Sequence, residues 1–170
     1  MQPTTDLLTA IIDNLRRVFQ AINSKSKKAE LETGLTGPQL WAIKVLAESA
    51  PIKLSDLARK MYLHPATVVG IIDRLEIRGL VERNRSRKDR RVVEIGLTKI
   101  GNQIVCQSPA VAQGLLLKGL EELSDNKLAV ISEGLEQLAM ILEAKESLPQ
   151  LVLSPEVKLP RRRIKKTEKQ

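Results

Sequence analysis

The sequence predicts a mainly α-helical protein with one β-hairpin near its centre, and three observations support this fold class. Aromatic residues make up only 2% of the 170 residues, so the core has to be built from aliphatic side chains, a composition that favours helices. Apolar residues recur at helical spacing through most of the chain. Between residues 80 and 97 the pattern changes to two short strands around a charged turn, which indicates a hairpin.

The two ends of the chain carry narrow apolar stripes. A first helix is predicted from about Asp6 to Lys28 and a last helix from Ser124 or Asp125, each with apolar residues at alternating steps of three and four. Because such a stripe is too narrow for a fully buried helix, we expect the terminal helices to pack together and against a second copy in a symmetric homodimer. The stripes consist of Leu8, Ile11, Leu15, Val18 and Ile22 in the first helix and Leu128, Ile131, Leu135, Leu138 and Leu142 in the last.

The middle of the chain predicts a helix-turn-helix followed by the hairpin. Thr36 and Gln39 have the spacing of a capping box and begin one helix. A short helix over 54–62 precedes a helix from Pro65 to about Ile77, with Pro65 suited to the first turn. The remaining predicted elements are strands over 80–83 and 91–97 and a long helix that follows Thr98, bends at Pro109 and reaches Leu123.

Composition argues against several classes of protein. The single cysteine, Cys106, cannot form a disulfide within the chain and lies in an apolar stretch, so it is expected to be buried. The single histidine, His64, excludes a histidine-based zinc cluster, and no group of nucleophile, base and metal ligands is recognisable. The chain starts without the positive region of a signal peptide, and no stretch is apolar enough to span a membrane. We therefore expect a cytoplasmic protein that is not an enzyme, needs no cofactor and does not contact a membrane.

Positive charge is concentrated in two places. The net charge is +8, and the segment from Lys158 to Gln170 carries seven basic residues and one acidic residue, which leaves only +2 for the rest of the chain. We expect this tail to be disordered and to add sequence-independent phosphate contacts. The second cluster surrounds Asp89 in the turn of the predicted hairpin and consists of Arg83, Arg85, Arg87, Lys88, Arg90 and Arg91.

Several short segments are informative when they are taken together. They are Leu35–Trp41 (LTGPQLW), Leu54–Ala58 (LSDLA), Pro65–Glu76 (PATVVGIIDRLE), Arg78–Arg83 (RGLVER), Asp89–Arg91 (DRR) and Leu97–Gly101 (LTKIG). Their order and spacing resemble the MarR (multiple antibiotic resistance regulator) family of winged-helix transcription factors. The resemblance implies dimerisation helices over 1–34 and 98–148, a winged helix-turn-helix over 35–97 and a basic tail over 149–170 that the resemblance does not reach. It also implies a homodimeric transcriptional regulator, by default a repressor, that binds a palindromic operator in double-stranded DNA.

The helix that starts at Pro65 presents a face suited to the major groove of DNA. Its residues opposite the apolar face are small, and its N-terminus is expected to offer backbone N–H groups to a phosphate. The resemblance implies that this is the recognition helix, that the arginines of the hairpin, or wing, enter a minor groove, and that Asp89 orients an arginine. The expected DNA-binding residues are His64, Pro65, Ala66, Thr67, Val69, Gly70, Arg74, Arg83, Arg85, Arg87, Lys88, Asp89, Arg90 and Arg91.

The resemblance also implies a pocket for a small effector between the dimer helices and the DNA-binding lobe. Its expected residues are Arg16, Arg17, Phe19 and Trp41, which suit an anionic or aromatic molecule; the alternative for Trp41 is a core position. Two other functions stay open at this point. One is a winged-helix protein-interaction module, against which the arginine-rich hairpin argues, and the other is a nonspecific architectural DNA-binding protein dominated by its tail.

Overall fold

The computed structural model describes residues 3–86 and 89–143, and the basic tail predicted over 149–170 lies outside the described residues. The described part contains seven helices and three short strands, which confirms the predicted mainly α-helical class. In chain order they are α1 (Pro3–Thr33), α2 (Gly37–Ser49), β1 (Ile52–Lys53), α3 (Leu54–Met61), α4 (Pro65–Ile77), β2 (Val81–Arg85), β3 (Val93–Leu97), α5 (Lys99–Gln107), α6 (Ala112–Glu121) and α7 (Asp125–Ile141).

The strands form one antiparallel sheet in the order β1–β3–β2. β2 and β3 are the predicted hairpin, and their register places Val81 opposite Leu97 and Arg85 opposite Val93. β1 adds a third strand through the pairing of Ile52 with Ile95. The sequence does not predict β1, because two residues are too few to show the alternation of a strand.

The long helix predicted from Thr98 to Leu123 is wrong, since α5 and α6 are separate helices. Residues 108–111 lie between them in extended or irregular backbone, and Ser108 has φ −89° and ψ 146°. Proline disfavours helical backbone in the residue before it, so Pro109 ends α5 instead of bending one continuous helix. The predicted burial of Cys106 is also wrong: this residue is exposed, because α5 turns Ile104 and Val105 towards the core instead.

The hydrophobic core lies among α2, α3, α4 and the sheet. The inner face of α4 buries Val68, Ile71, Ile72 and Leu75, the four apolar positions that the sequence predicts. Each aliphatic side chain removed from water in this way stabilises the fold by roughly 1.5–3 kcal/mol, so the core holds α4 firmly in place. The other large side chains that are fully buried include Leu35, Leu40, Ile43, Leu46, Leu57 and Ile95.

Two polar connections tie α4 and the hairpin to their neighbours. Arg78 follows α4, and its Nη1 donates a hydrogen bond of 2.6 Å to the carbonyl oxygen of Gly34, which lies between α1 and α2. At the other end of the hairpin, Thr98 Oγ1 donates to the carbonyl oxygen of Gly79 at 2.7 Å and accepts the N–H of Gly101 at 3.1 Å. A Cβ on Gly101 would lie 2.1 Å from the carbonyl oxygen of Leu80, so this joint requires glycine.

The apolar stripes of the terminal helices remain largely exposed in the single chain. α7 buries none of its residues, and Leu135 is 59% exposed. In α1, Leu8 and Val18 are 59% and 54% exposed, whereas Ala29 near its C-terminal end is fully buried against the core. Within the described ranges, no helix combines the length and the apolarity needed to cross a membrane.

Candidate nucleic-acid interface

The outer face of α4 is made of small residues. Pro65, Ala66 and Val69 are exposed, and Thr67 and Gly70 are half-buried, whereas the opposite face lies in the core. A Cβ on Gly70 would meet no atom within 4 Å, so the space beside this residue is open. This face therefore allows another molecule to approach the helix backbone closely, as entry into a major groove requires.

The N-terminus of α4 differs from the sequence-based expectation. His64 is the N-cap, and its Nδ1 accepts the N–H of Ala66 at 3.3 Å. The N–H groups of Thr67 and Val68 both bond to the carbonyl oxygen of His64, and Pro65 has no N–H. The backbone donors of the first turn are thus already used within the helix, and side chains rather than N–H groups are what this end offers to a phosphate.

The hairpin and its turn, residues 81–97, form the wing. Arg85, Arg90 and Arg91 are exposed, and none of these three makes an ion pair with the rest of the chain as far as it is described. Arg74 is exposed in the last turn of α4. The predicted residues Arg87 and Lys88 lie outside the described residues. The wing therefore presents a set of uncompensated guanidinium groups, and its first strand packs against α4, the helix that carries the small-residue face.

Asp89 shapes the turn of the wing in a different way from the one expected. Its Oδ1 accepts the backbone N–H of Arg91 at 2.9 Å, and its carbonyl oxygen accepts the N–H of Val92 at 2.9 Å. In the described part of the turn, its carboxylate holds the backbone of Arg91 and not a guanidinium group. The carboxylate still fixes the backbone position from which the Arg91 side chain projects.

Arg83 has surroundings unlike those of the other arginines of the wing. Its Nη2 lies 2.6 Å from Asp73 Oδ1 and its Nη1 contacts Glu76, so it pairs with two carboxylates of α4. Partial burial lowers the pKa of the Arg83 guanidinium, but the hydrogen bond to Asp73 and the charges of Glu76 and Asp73 outweigh burial and raise this pKa above its ordinary value. The Arg83 guanidinium therefore stays positively charged throughout the physiological pH range.

A cleft of about 980 Å³ lies between α2, α3 and α6. Trp41 lines it, but the other three residues of the expected effector pocket do not. Arg16 pairs with Asp13 at 3.0 Å on the surface of α1, and Arg17 and Phe19 are exposed on the same helix. The cleft is instead bordered by charged side chains from α2, α3 and α6, namely Lys44, Glu48, Asp56, Arg59, Lys60, Lys118 and Glu121.

Three buried polar atoms have no hydrogen-bond partner in the described part of the chain, and of their residues only Trp41 lines the cleft. They are Ser26 Oγ, Trp41 Nε1 and Gln113 Oε1. Ser26 Oγ and Gln113 Oε1 both lie within 4 Å of the position that a Cβ of residue 37 would occupy, and Trp41 packs against Gly114. Sequence analysis misses Ser26 and Gln113, because their association depends on how α1, α2 and α6 meet and neither residue belongs to a local motif.

Comparison with known proteins places these features in a family. The model of the MarR family matches residues 35–93, which include α2, α3, α4 and most of the wing. The uncharacterized HTH-type transcriptional regulator YsmB of Bacillus subtilis is 30% identical over 132 residues, which cover 78% of this chain and 90% of YsmB. The HTH-type transcriptional repressor MdtR of the same organism is 27% identical over 146 residues, 86% of this chain and 94% of MdtR.

Solved structures give the same result. FabT of Streptococcus pneumoniae, solved in complex with DNA, is 25% identical with a TM-score of 0.52, and the match covers 80% of this chain and 97% of FabT. A MepR-like protein, solved with pseudoligands, is 29% identical with a TM-score of 0.52, and the match covers 83% of this chain and 97% of that protein. The fold, the order of the motifs and these similarities together show that the chain belongs to the MarR family of winged-helix transcriptional regulators, which are not enzymes.

Proposed function

We propose that this protein is a cytoplasmic repressor that binds a palindromic operator in double-stranded DNA as a homodimer. The small-residue face of α4 enters the major groove, and the exposed arginines of the wing enter the flanking minor groove. The observation that carries this proposal is a wing with three uncompensated guanidinium groups, Arg85, Arg90 and Arg91, whose first strand packs against a helix with an outer face free of bulky side chains. The repressor MdtR and the DNA complex of FabT support it by similarity.

We assign DNA binding and dimerisation to different segments of the chain. Residues 35–97 bind DNA, and residues 1–34 and 98–148 form the dimer. The exposed apolar stripes of α1 and α7 support this assignment, because each leaves large aliphatic side chains in water unless a second copy covers them. A two-fold axis would then present two copies of α4 to successive major grooves, about one helical turn of DNA apart.

We also propose that a small anionic or aromatic effector binds in the cleft beside Trp41. The cleft is lined by the Trp41 ring and by three lysines, Lys44, Lys60 and Lys118, which supports an occupant that is aromatic or carries a negative charge. Arg16, Arg17 and Phe19 are not part of this proposed site. Since the cleft lies between the elements that hold the dimer and the DNA-binding body, an occupant would favour one spacing of the two α4 helices over another.

The proposed DNA contact of the wing is tested with the double variant Arg90→Ala/Arg91→Ala. We expect it to weaken binding to all duplexes and to reduce the steepness with which affinity falls with salt, by about one for each phosphate that the variant can no longer neutralise. The measurement is a titration of fluorescent duplex between about 50 and 200 mM salt, a range over which phosphate-binding proteins change affinity strongly. The duplex is one that the wild-type protein selects from a random pool.

The matched control is Arg16→Ala/Arg17→Ala, which removes the same charge from the surface of α1. It is expected to leave the salt dependence unchanged. Unaltered affinity and salt dependence in the wing variant would exclude the wing from DNA binding. Equal affinity of the wild type for selected and random duplexes would favour the architectural alternative, and no binding even at low salt would favour the protein-interaction module.

A further inference from the structure

The Arg83 ion-pair cluster, which consists of Arg83, Asp73 and Glu76, joins the first strand of the wing to α4. One guanidinium uses Nη2 for Asp73 and Nη1 for Glu76, and the Arg83 side chain is only 27% exposed, compared with 50% and 39% for the two carboxylates. A planar group held at two points fixes both the distance and the rotation between its neighbours. The cluster therefore ties β2 to α4 at two points.

Arg83 and Arg85 lie on the same strand, two residues apart, and thus on the same face of the sheet. Their electrostatic situations differ. Two carboxylates compensate the charge of Arg83, whereas Arg85 is exposed and makes no ion pair with the described residues. To bind a phosphate, Arg83 would have to leave both partners and expose two like-charged carboxylates close to DNA. Arg85 needs no such rearrangement.

We propose that Arg83 is a positioning residue for DNA recognition, which holds the wing at the angle where its exposed arginines and the outer face of α4 reach adjacent grooves together. Arg83 itself contacts no DNA. This inference rests on the proposed DNA-binding function. Its physical basis is preorganisation: a wing already fixed in the bound orientation does not have to be ordered at the moment of binding, so less binding free energy is lost.

The test compares Arg83→Gln and Arg83→Lys with the control Arg85→Gln on a duplex selected by the wild type. Both Arg83 variants are expected to lose about 2- to 30-fold in affinity, the range typical of residues that act through coupling. They should keep the wild-type salt dependence, because no phosphate contact is removed. Arg83→Lys retains the charge but not the two-point geometry, so it should fail like Arg83→Gln. Arg85→Gln should flatten the salt dependence.

Hydrogen exchange on the free protein gives a second readout that does not involve DNA. Arg83→Gln and the double variant Asp73→Asn/Glu76→Gln should both speed amide exchange in residues 81–97 and leave the core of α2 unchanged. The inference is overturned if Arg83→Lys binds like the wild type while Arg83→Gln flattens the salt dependence, or if wing exchange does not change. Failure of the wild type to bind any duplex would instead reject the proposed function, and the exchange data would still show whether the cluster holds the wing.

Discussion

At the scale of single residues, Gly70 leaves open space beside the middle of α4. It lies on the outer face of α4, and a side chain there would meet no other atom of the described chain. Glycine at such a position costs helix stability, since the unfolded chain loses more freedom there than it would with alanine. Gly119 in α6 is equally open, but only Gly70 lies on the face of α4 that the proposed function places against DNA.

Gly70→Ala is therefore expected to raise stability and to weaken DNA binding. The gain in the free energy of unfolding should be about 1 kcal/mol, measured by urea denaturation. Binding should fall because the added methyl group occupies space that the duplex needs. Gly119→Ala in α6 is the control, since a Cβ there also meets nothing within 4 Å; it should gain similar stability and keep its DNA affinity. A Gly70→Ala variant with undiminished affinity would show that DNA does not approach this face closely.

Residue-level prediction from the sequence works where the signal is local and fails where a partner comes from another element. α4 begins at Pro65, as the suitability of this proline for a first helical turn predicts. Arg83 belongs by sequence to a basic run, but its surroundings are set by two carboxylates of α4, seven and ten residues earlier in the chain. Cys106 lies in an apolar stretch, yet the direction in which α5 turns its residues decides its exposure.

At the scale of elements, the helix ends that are marked by a proline or a glycine are predicted best. α4 runs from Pro65 to Ile77, as expected from a proline at its first position and from Gly79, which has φ +71° just after its end. α1 continues to Thr33, beyond the predicted end at Lys28, because a lysine-rich helical segment remains solvated while Ala29 is buried in the core. The sequence does not predict the break between α5 and α6, because a proline such as Pro109 can either bend a helix or end it, and the spacing of the apolar residues fits both outcomes.

The cleft between α2, α3 and α6 gives a prediction at this scale. Trp41 is the only tryptophan in the chain, so its fluorescence reports directly on the cleft. Benzoate, a small aromatic anion, is expected to change this fluorescence saturably and to lower the affinity for the selected duplex. Benzamide, which has the same ring without the charge, is the control and should bind more weakly. If neither ligand alters the fluorescence or the DNA affinity, the proposed effector class is rejected.

At the scale of the whole molecule, the apolar surface that one chain leaves in water supports the proposed homodimer. Ile131 and Leu135 of α7 are 40% and 59% exposed, and Leu8 and Ile11 of α1 are 59% and 47% exposed. Soluble monomers seldom keep contiguous apolar patches of this kind. The stripes can be recognised in the sequence as apolar residues at alternating steps of three and four. How two copies would pair cannot be predicted in this way, because it depends on contacts between chains.

The dimer is tested by Ile131→Glu/Leu135→Glu, which places two negative charges in the apolar stripe of α7. We expect the variant to sediment as a monomer at concentrations where the wild type is a dimer, because an unpaired charge is costly to bury. Its affinity for a palindromic duplex should fall about 100-fold or more, since linked half-sites no longer act together. Gln137→Glu, on the opposite face of α7, adds a charge without disrupting the stripe and should remain dimeric. A double variant that still sediments as a dimer would exclude α7 from the interface.

The hydrogen bond from Arg78 to the carbonyl oxygen of Gly34 has a mechanical consequence. α1 belongs to the proposed dimer and α4 to the DNA-reading body, and this bond pins the end of one to the end of the other across 44 residues of sequence. Gly34 has φ +66°, and a Cβ there would lie 3.3 Å from the guanidinium, so the contact leaves little slack. If α1 and α4 have the proposed roles, a tilt of α1 in the dimer pulls on the end of the DNA-binding helix through this bond.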